Sequence, residues 1–454
     1  MIPKLKNSIS HWLQKQPVWV FTVYASTVAF LTYSFMYAFR KPFTVAGFEG
    51  ISLFGIDYKI WLITAQVMGY TLSKFMGIEY ISALKSKDRA LSILFLVGFA
   101  EASLFLFYLV PAPYNFVFMF MNGVPLGMIW GIVFSYLEGR KVTEMLGAGL
   151  CASFILASGV AKSVGELVMI NWHVGEFAMP FVTGALFSLP IIITTFLLDS
   201  IPPPSRADVN TRTRRAPMNR FQRRAFLQQF MGGILFLVAA YIFLTVFREM
   251  RDNFAVEIWK SLGYSQNPAV FTLSEIPVAV FTLLSLALIN LIRSNYAAFN
   301  TILFVVLIGF LTIIASTTLF TMGILPGEVW MVGIGIGLYL GYIPFNAFLF
   351  ERLIAAFRKV SNTGFLIYVA DAFGYLGSLG VMFYKNISDP GQSWISFFTR
   401  ISFLFSFVGI VLVIAAFLFF RRKYLNSKNI TQYEYAINSR EPILTLDTRT
   451  AVHQ

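Results

Sequence analysis

The sequence predicts an all-α integral membrane protein of twelve transmembrane helices arranged as two pseudo-symmetric six-helix bundles. Three observations carry that prediction. Of 454 residues, 57% are hydrophobic and 13% charged, with a mean hydropathy of +0.70, a composition suited to a bilayer. Apolar runs of about 20 residues, each able to cross ~30 Å of hydrocarbon as a helix, recur twelve times. One long polar segment near the middle divides them six and six.

The runs lie near 17–39, 58–80, 90–110, 114–137, 146–170 and 178–198, then near 226–248, 267–291, 298–321, 327–350, 361–383 and 393–420. The expected organisation is therefore an N-terminus at 1–16, a first bundle at 17–198, a linker at 199–225, a second bundle at 226–420 and a polar tail at 421–454. Residues 1–16 are expected to form a short interfacial helix carrying Trp12 and Leu13. The apolar run that follows is longer than a signal-peptide core and lacks a clear cleavage site, which predicts a retained first span. The linker begins Asp199-Ser200-Ile201-Pro202-Pro203-Pro204 and is rich in arginine as far as Arg224. On the opposite side the connections are short, as in Pro111-Ala112-Pro113, leaving no room for a further soluble domain.

The net charge of +13 is a matter of topology. If both termini are cytoplasmic, 25 of the 35 lysines and arginines fall on that side, while Lys59, Arg251, Lys260, Lys385 and Arg400 lie on or near the other. This positive-inside bias predicts the orientation, and the uninterrupted helical membrane fold suggests, by analogy, a bacterial inner membrane. No basic stripe interleaved with aromatics appears, so nucleic acid is not an expected partner. Cys151 is the only cysteine, which precludes an intrachain disulfide and thiolate metal sites. No carboxylate pair, Ser-His-Asp set or metal-ligand cluster is present; neither an enzyme nor a cofactor or metal site is expected.

Charge inside the spans is the functional signal. An arginine at the centre of a membrane helix costs at least ~2.5 kcal/mol on the mildest insertion scale. Arg40 nonetheless closes the first run, in Tyr37-Ala38-Phe39-Arg40-Lys41-Pro42-Phe43, and Arg248 closes the seventh, 208 positions later, in Thr245-Val246-Phe247-Arg248-Glu249. The repetition implies a duplicated protein with a cationic site between its halves. Helical spacing places Tyr33, Tyr37, Arg40 and Lys41 on one face, and Tyr241, Thr245, Arg248 and Asp252 on another, each expected to border a water-filled cavity. Lys41 and Arg251 are expected to reach outward to the headgroups. Lys74, one and two turns beyond Tyr70 and Gln66, supplies a third inward cation. Guanidinium forks and an ammonium facing one cavity suit an oxyanion.

Two buried acids complicate the picture. Glu275 and Asp371 can neutralise a cation in the empty site or carry a proton. Lys162 and Glu166, at i and i+4, are expected to pair with each other. The glycines of Gly123-x-x-x-Gly127, Gly333-x-Gly335-x-Gly337-x-x-x-Gly341 and Gly374-x-x-Gly377-x-x-Gly380 predict close helix packing and rocking surfaces.

Several stretches resemble the organophosphate:phosphate antiporter branch of the major facilitator superfamily, the glycerol-3-phosphate and hexose-phosphate transporters. In that branch the first helix carries Tyr-x-x-Arg-Lys-x-Phe, matched by Tyr37, Arg40, Lys41 and Phe43. The second-helix motif is matched by Tyr70, Ser73, Lys74 and Phe75, the fourth by Gly123, Gly127, Met128 and Trp130, and the eleventh by Phe373 to Gly377. The resemblance implies that Arg40 and Arg248 grip a phosphate, with Lys74 beside them. Ala157 stands where the family has a substrate-site histidine, and Asp371 where it has a small residue.

The expected function is a secondary active transporter of a small organic anion, an organic phosphate by resemblance. It would act as a monomer in the lipid bilayer by alternating access, either as a phosphate antiporter or as a proton symporter. Substrate would meet Arg40, Arg248, Lys74, Tyr37 and Tyr70, with Asp371 and Glu275 as proton-coupling candidates. The alternative is a transporter-like sensor of a phosphorylated ligand, which would signal to a partner kinase.

Overall fold

In a computed structural model, residues 2–205, 208, 220–264, 267–289, 291–357, 363–388 and 393–438 are described. Residues 206–207 and 209–219 of the expected linker and 439–454 of the expected tail lie outside them. The first half comprises α1 (Ile2–Lys15), α2 (Val18–Met36), α3 (Tyr58–Ala83), α4 (Arg89–Leu109), α5 (Phe116–Leu137), α6 (Thr143–Cys151), α7 (Ser153–Trp172) and α8 (Met179–Asp199). The second comprises α9 (Arg220–Asn253), α10 (Ala255–Ser261), α11 (Val270–Leu273), α12 (Glu275–Ile289), α13 (Asn295–Thr321), α14 (Gly327–Ala347), α15 (Leu349–Ala356), α16 (Thr363–Ser388) and α17 (Trp394–Asn438). A two-residue hairpin, β1 (Ser52–Leu53) with β2 (Ile56–Asp57), precedes α3.

Eleven stretches among the described residues are long and apolar enough to cross a membrane. Two of these are broken helices, α6–α7 at Ala152 and α11–α12 at Ser274. The twelfth crossing is α3, whose 26 residues rise about 39 Å at 1.5 Å each. Lys59, Gln66 and Lys74 lower its hydropathy, yet all three are buried. The protein is thus an integral, multi-pass membrane protein. Twelve crossings among the described residues put the start of the first span, Val18, and the end of the last on one face, here the terminal face; the opposite one is the far face.

The end of α2 determines where the first cations go. Pro42 has no N–H to donate and disfavours helix at the residue before it. The chain tightens into a 3-10 turn at Tyr37–Phe39 and starts a second at Pro42–Val45. Arg40 and Lys41 therefore leave the helix at a bend and turn into the protein, where 1% and 0% of their surfaces are exposed. Side chains of neighbouring helices secure this bend. Gln66 Nε2 donates to the Arg40 carbonyl at 2.8 Å and Asn122 Nδ2 to the Phe39 carbonyl at 3.0 Å. Gln66 also donates to Asn122 Oδ1 at 2.8 Å.

Small residues let the helices approach closely. A Cβ on Gly123 would stand 2.2 Å from the Gln66 carbonyl oxygen, and one on Gly69 would stand 2.1 Å from that of Phe120, so α3 and α5 pack backbone to backbone. Gly309 of α13 and Gly337 of α14 allow a similarly close approach in the second half, where a Cβ on either would stand 2.5 Å from the other's carbonyl oxygen. Gly374 meets Thr245, and Gly377 meets Ile242. A Cβ on Gly380 would meet nothing within 4 Å, so the expected packing role fails at that position, although Ser378 and Met382 of the same turn are buried. The two halves meet where α3 packs on α16, α7 on α11 and α12, and α6 on α14.

Candidate anion site between the halves

Arg40, from the bend after α2, and Arg248, in the last turns of α9, come together at the centre of the molecule. Arg40 stacks its guanidinium 3.9 Å from the centroid of the Tyr70 ring, with Tyr37 and Tyr375 at 6.0 and 5.9 Å. Its Nε, Nη1 and Nη2 have no hydrogen-bond acceptor among the described residues. The nearest carboxylate oxygen, Glu249 Oε2, lies 3.7 Å away, too far to accept a hydrogen bond. Arg248 is better supplied: its Nη2 donates to the Tyr375 hydroxyl and to Glu249 Oε1, both at 2.6 Å, and its guanidinium lies over Tyr342 at 4.8 Å. Burying a guanidinium without an acceptor is costly. Arg40 thus has three nitrogens without an acceptor among the described residues, whereas Arg248 lacks one only at its Nε.

Lys74 reaches the same centre from α3 and pairs with Asp371 of α16 at 2.9 Å. The Tyr241 hydroxyl also donates to Asp371. Three rings surround the ammonium: Tyr70, Tyr368 and Trp130 at 5.3, 5.5 and 5.9 Å. Tyr70 in turn packs on Tyr375 across the halves at 4.8 Å, and its hydroxyl lies 3.4 Å from that of Tyr33. All five residues expected to meet substrate, Arg40, Arg248, Lys74, Tyr37 and Tyr70, thus gather in one aromatic-walled region. Of the two expected proton carriers, Asp371 belongs to it. Glu275 does not: it lies farther toward the far face, paired with Arg251 at 2.6 Å.

Four expectations need correction. Lys41 does not reach for the headgroups; the bend at Pro42 turns it inward, where Asp252 Oδ2 lies at 2.5 Å and Asn253 Oδ1 accepts at 2.8 Å. Arg251 is also buried, held by Glu275 and by the Met331 carbonyl at 3.2 Å, because α9 continues past Arg248 inside the protein. Lys162 pairs with Asp252 at 2.5 Å and not with Glu166: a buried carboxylate on the facing helix outcompetes a neighbour one turn away. Nor do the two arginine faces border a wide aqueous cavity. The void beside this network, between Lys162, Arg251, Asp252 and Tyr339, measures about 20 Å³, room for a single water and no more.

Two further acids close the network: Asp252, which helical spacing placed on the face of Arg248, and Glu249, to which sequence reasoning gave no role. Asp252 joins Lys41 and Lys162, and also accepts from the Ser158 hydroxyl, binding the first half to the second near the far face. Glu249 is fully buried among Arg248, Arg40 and Lys41, with Asn253 Nδ2 donating to its Oε2 at 3.1 Å. The available signal was its place directly after Arg248 in an apolar run. Within the network six cations, Arg40, Lys41, Lys74, Lys162, Arg248 and Arg251, meet four carboxylates, Glu249, Asp252, Glu275 and Asp371, leaving two positive charges in excess. On the terminal face Arg352 pairs with Glu144 at 2.8 Å, again across the halves.

Comparison with known proteins places this geometry in a fold. A family model described as "Family of unknown function (DUF5690)" matches residues 42–423, a span that begins just after Arg40 and Lys41. No curated protein matches the sequence. Among solved structures 235 chains match. One is a D-xylose-proton symporter, with a TM-score of 0.58 at 14% identity over 87% of this chain and 97% of that one. Identity that low carries the architecture, the major facilitator fold, and nothing about cargo.

Proposed function

We propose that this chain, which belongs to the DUF5690 family and has the major facilitator fold, is a secondary active transporter of a small organic anion. The observation that supports this most strongly is Arg40: a buried guanidinium between the halves, stacked on Tyr70, with three nitrogens lacking an acceptor among the described residues. A ligand oxyanion bridging Arg40 and Arg248 would supply it. A neutral sugar, the cargo named for the structural neighbour, would leave the excess charge of the network in place. Resemblance to the organophosphate branch favours an organic phosphate, with Lys74, Tyr37 and Tyr70 lining its path.

In this reading the bundles 17–198 and 226–420 rock as units about the site, linked through 199–225, with the segments 1–16 and 421–454 on the same side. The lysine and arginine bias makes the terminal face cytoplasmic, in a bacterial inner membrane. Each monomer holds a whole pathway. Asp371 is the favoured proton carrier, because it already accepts hydrogen bonds from Lys74 and Tyr241 at the junction of the halves. Glu275, tied to Arg251 near the far face, is the second candidate.

The test is uptake into proteoliposomes of labelled glycerol-3-phosphate, a hexose phosphate and a carboxylate, with and without internal phosphate and with and without a proton gradient. Saturable uptake of a phosphate ester that needs internal phosphate would establish antiport. Uptake that needs only the gradient, and is lost in Asp371→Asn, would establish symport. Binding without flux would instead make the protein a sensor.

A further inference from the structure

Glu249 has the wrong chemistry for an anion site and the right one for an empty anion site. Its carboxylate leans toward Arg248, with Oε1 at 2.6 Å, while Oε2 accepts from Asn253 and stands 3.7 Å from both Arg40 Nη2 and Lys41 Nζ. It thus lies where a bound anion would bridge the two arginines, yet it leaves the three nitrogens of Arg40 without an acceptor. An ion pair that served only to tie helices together would use both cations fully. Around it the halves are already closed. Tyr70 packs on Tyr375, Lys74 reaches Asp371, and Lys41 reaches Asp252 and Asn253, while the void beside the network is too small to hold an organic substrate.

We infer that Glu249 is a resident counter-anion: in the substrate-free protein its carboxylate takes the place of the cargo anion, so the halves close and exchange faces while empty. The inference rests on the two-arginine site proposed above and refines its coupling. If Arg40 and Arg248 were left without a carboxylate, their like charges would face one another in a low-dielectric centre, with Lys41 beside them left only Asp252 as a carboxylate partner, and the empty carrier would be held open. An incoming anion would then be required for every closure, the behaviour of an obligatory exchanger. With Glu249 present the empty carrier returns by itself, so net one-way movement is the expected mode. Cargo displaces the carboxylate from Arg248 and satisfies Arg40 at the same time.

The experiment reads conformation, so it needs no knowledge of the natural cargo. Cys151, the only cysteine, is replaced by alanine, and spin labels are placed on Tyr114→Cys and Ile324→Cys, exposed positions on the far face of the first and second halves. Pulsed electron resonance then gives the distance between them in detergent. Without added anion the otherwise unaltered protein is expected to show mainly the short, closed separation. Glu249→Gln, which keeps the shape and removes the charge, is expected to move the majority of the population to a longer one. Inorganic phosphate or acetate, added as probes, should restore closure in the variant. Opening that neither probe reverses would uphold the role of Glu249 in closing the empty protein while counting against the anion site. A Glu249→Gln protein that stays closed would overturn the inference, whatever the probes do. The double variant Arg248→Gln/Glu249→Gln restores charge balance and should remain closed; if it opens, neutrality is not what Glu249 provides. This second arm holds even if the single variant does not fold.

Discussion

Asp252→Asn is expected to destabilise the protein by about 3–5 kcal/mol, the usual cost of leaving a buried charge unpaired. Here one carboxylate serves two ammonium groups, Lys41 through Oδ2 and Lys162 through Oδ1, each at 2.5 Å, and accepts from Ser158 as well. Asparagine retains one acceptor oxygen and turns a donor toward the other lysine, so at least one ammonium is left facing an amide N–H. Lys41 keeps Asn253 at 2.8 Å, which softens the loss without removing it. Because Lys41 and Lys162 belong to the first half and Asp252 to the second, the same change should also loosen the far face. The measurement is thermal unfolding in detergent, followed by intrinsic fluorescence. The double variant Lys162→Met/Asp252→Asn, which removes one stranded charge, should recover much of the lost stability. A single variant within ~1 kcal/mol of the parent, the value typical of surface pairs, would mean that this contact does not join the halves.

Lys74→Met is expected to have an effect of similar size, and Asp371→Asn a smaller one. The pair is buried and 2.9 Å apart, so loss of the lysine leaves a carboxylate with only the Tyr241 hydroxyl. Loss of the acid leaves an ammonium that still has three aromatic rings within 6 Å, contacts worth roughly 0.5–2 kcal/mol each. The amide oxygen introduced by Asp371→Asn would still accept from Tyr241. The double variant Lys74→Met/Asp371→Leu should be more stable than the sum of the singles predicts, since apolar replacement of a buried pair is often close to neutral. Unfolding midpoints of the parent, the two singles and the double form the cycle. Additive losses would show that Lys74 and Asp371 are not coupled.

The helices were legible because each one is a local fact: some 20 apolar residues in a row can hardly do anything else in a bilayer. Even α3, diluted by Lys59, Gln66 and Lys74, retained its length and its periodic face. Arg40 and Arg248 were legible for the complementary reason, that charge is expensive in such runs and therefore stands out. Partners were another matter. Helical spacing tells which residues share a face but not which face meets it, so Lys162 was assigned to Glu166, one turn away, when its carboxylate comes from Asp252, 90 positions on. Lys41 and Arg251 were read by their nearness to span ends. That rule fails where a proline bend turns the chain inward and where a helix continues beyond its apolar run. Glu249 escaped notice because an acid beside an arginine at a span end looks like an ordinary boundary pair; only the approach of the bend after α2, which carries Arg40 and Lys41, makes it the centre of a four-residue cluster.

If Arg40 and Arg248 form one anion site between the halves, binding to the purified protein reads it out. Inorganic phosphate, glycerol-3-phosphate, a hexose phosphate, a carboxylate and a neutral sugar are titrated calorimetrically against the unaltered chain, Arg40→Gln and Arg248→Gln. At least one anion is expected to bind and the sugar is not, and either substitution is expected to weaken anion binding at least tenfold, about 1.4 kcal/mol. Anion binding that survives in both variants, or a protein that takes only the neutral sugar, would contradict that site.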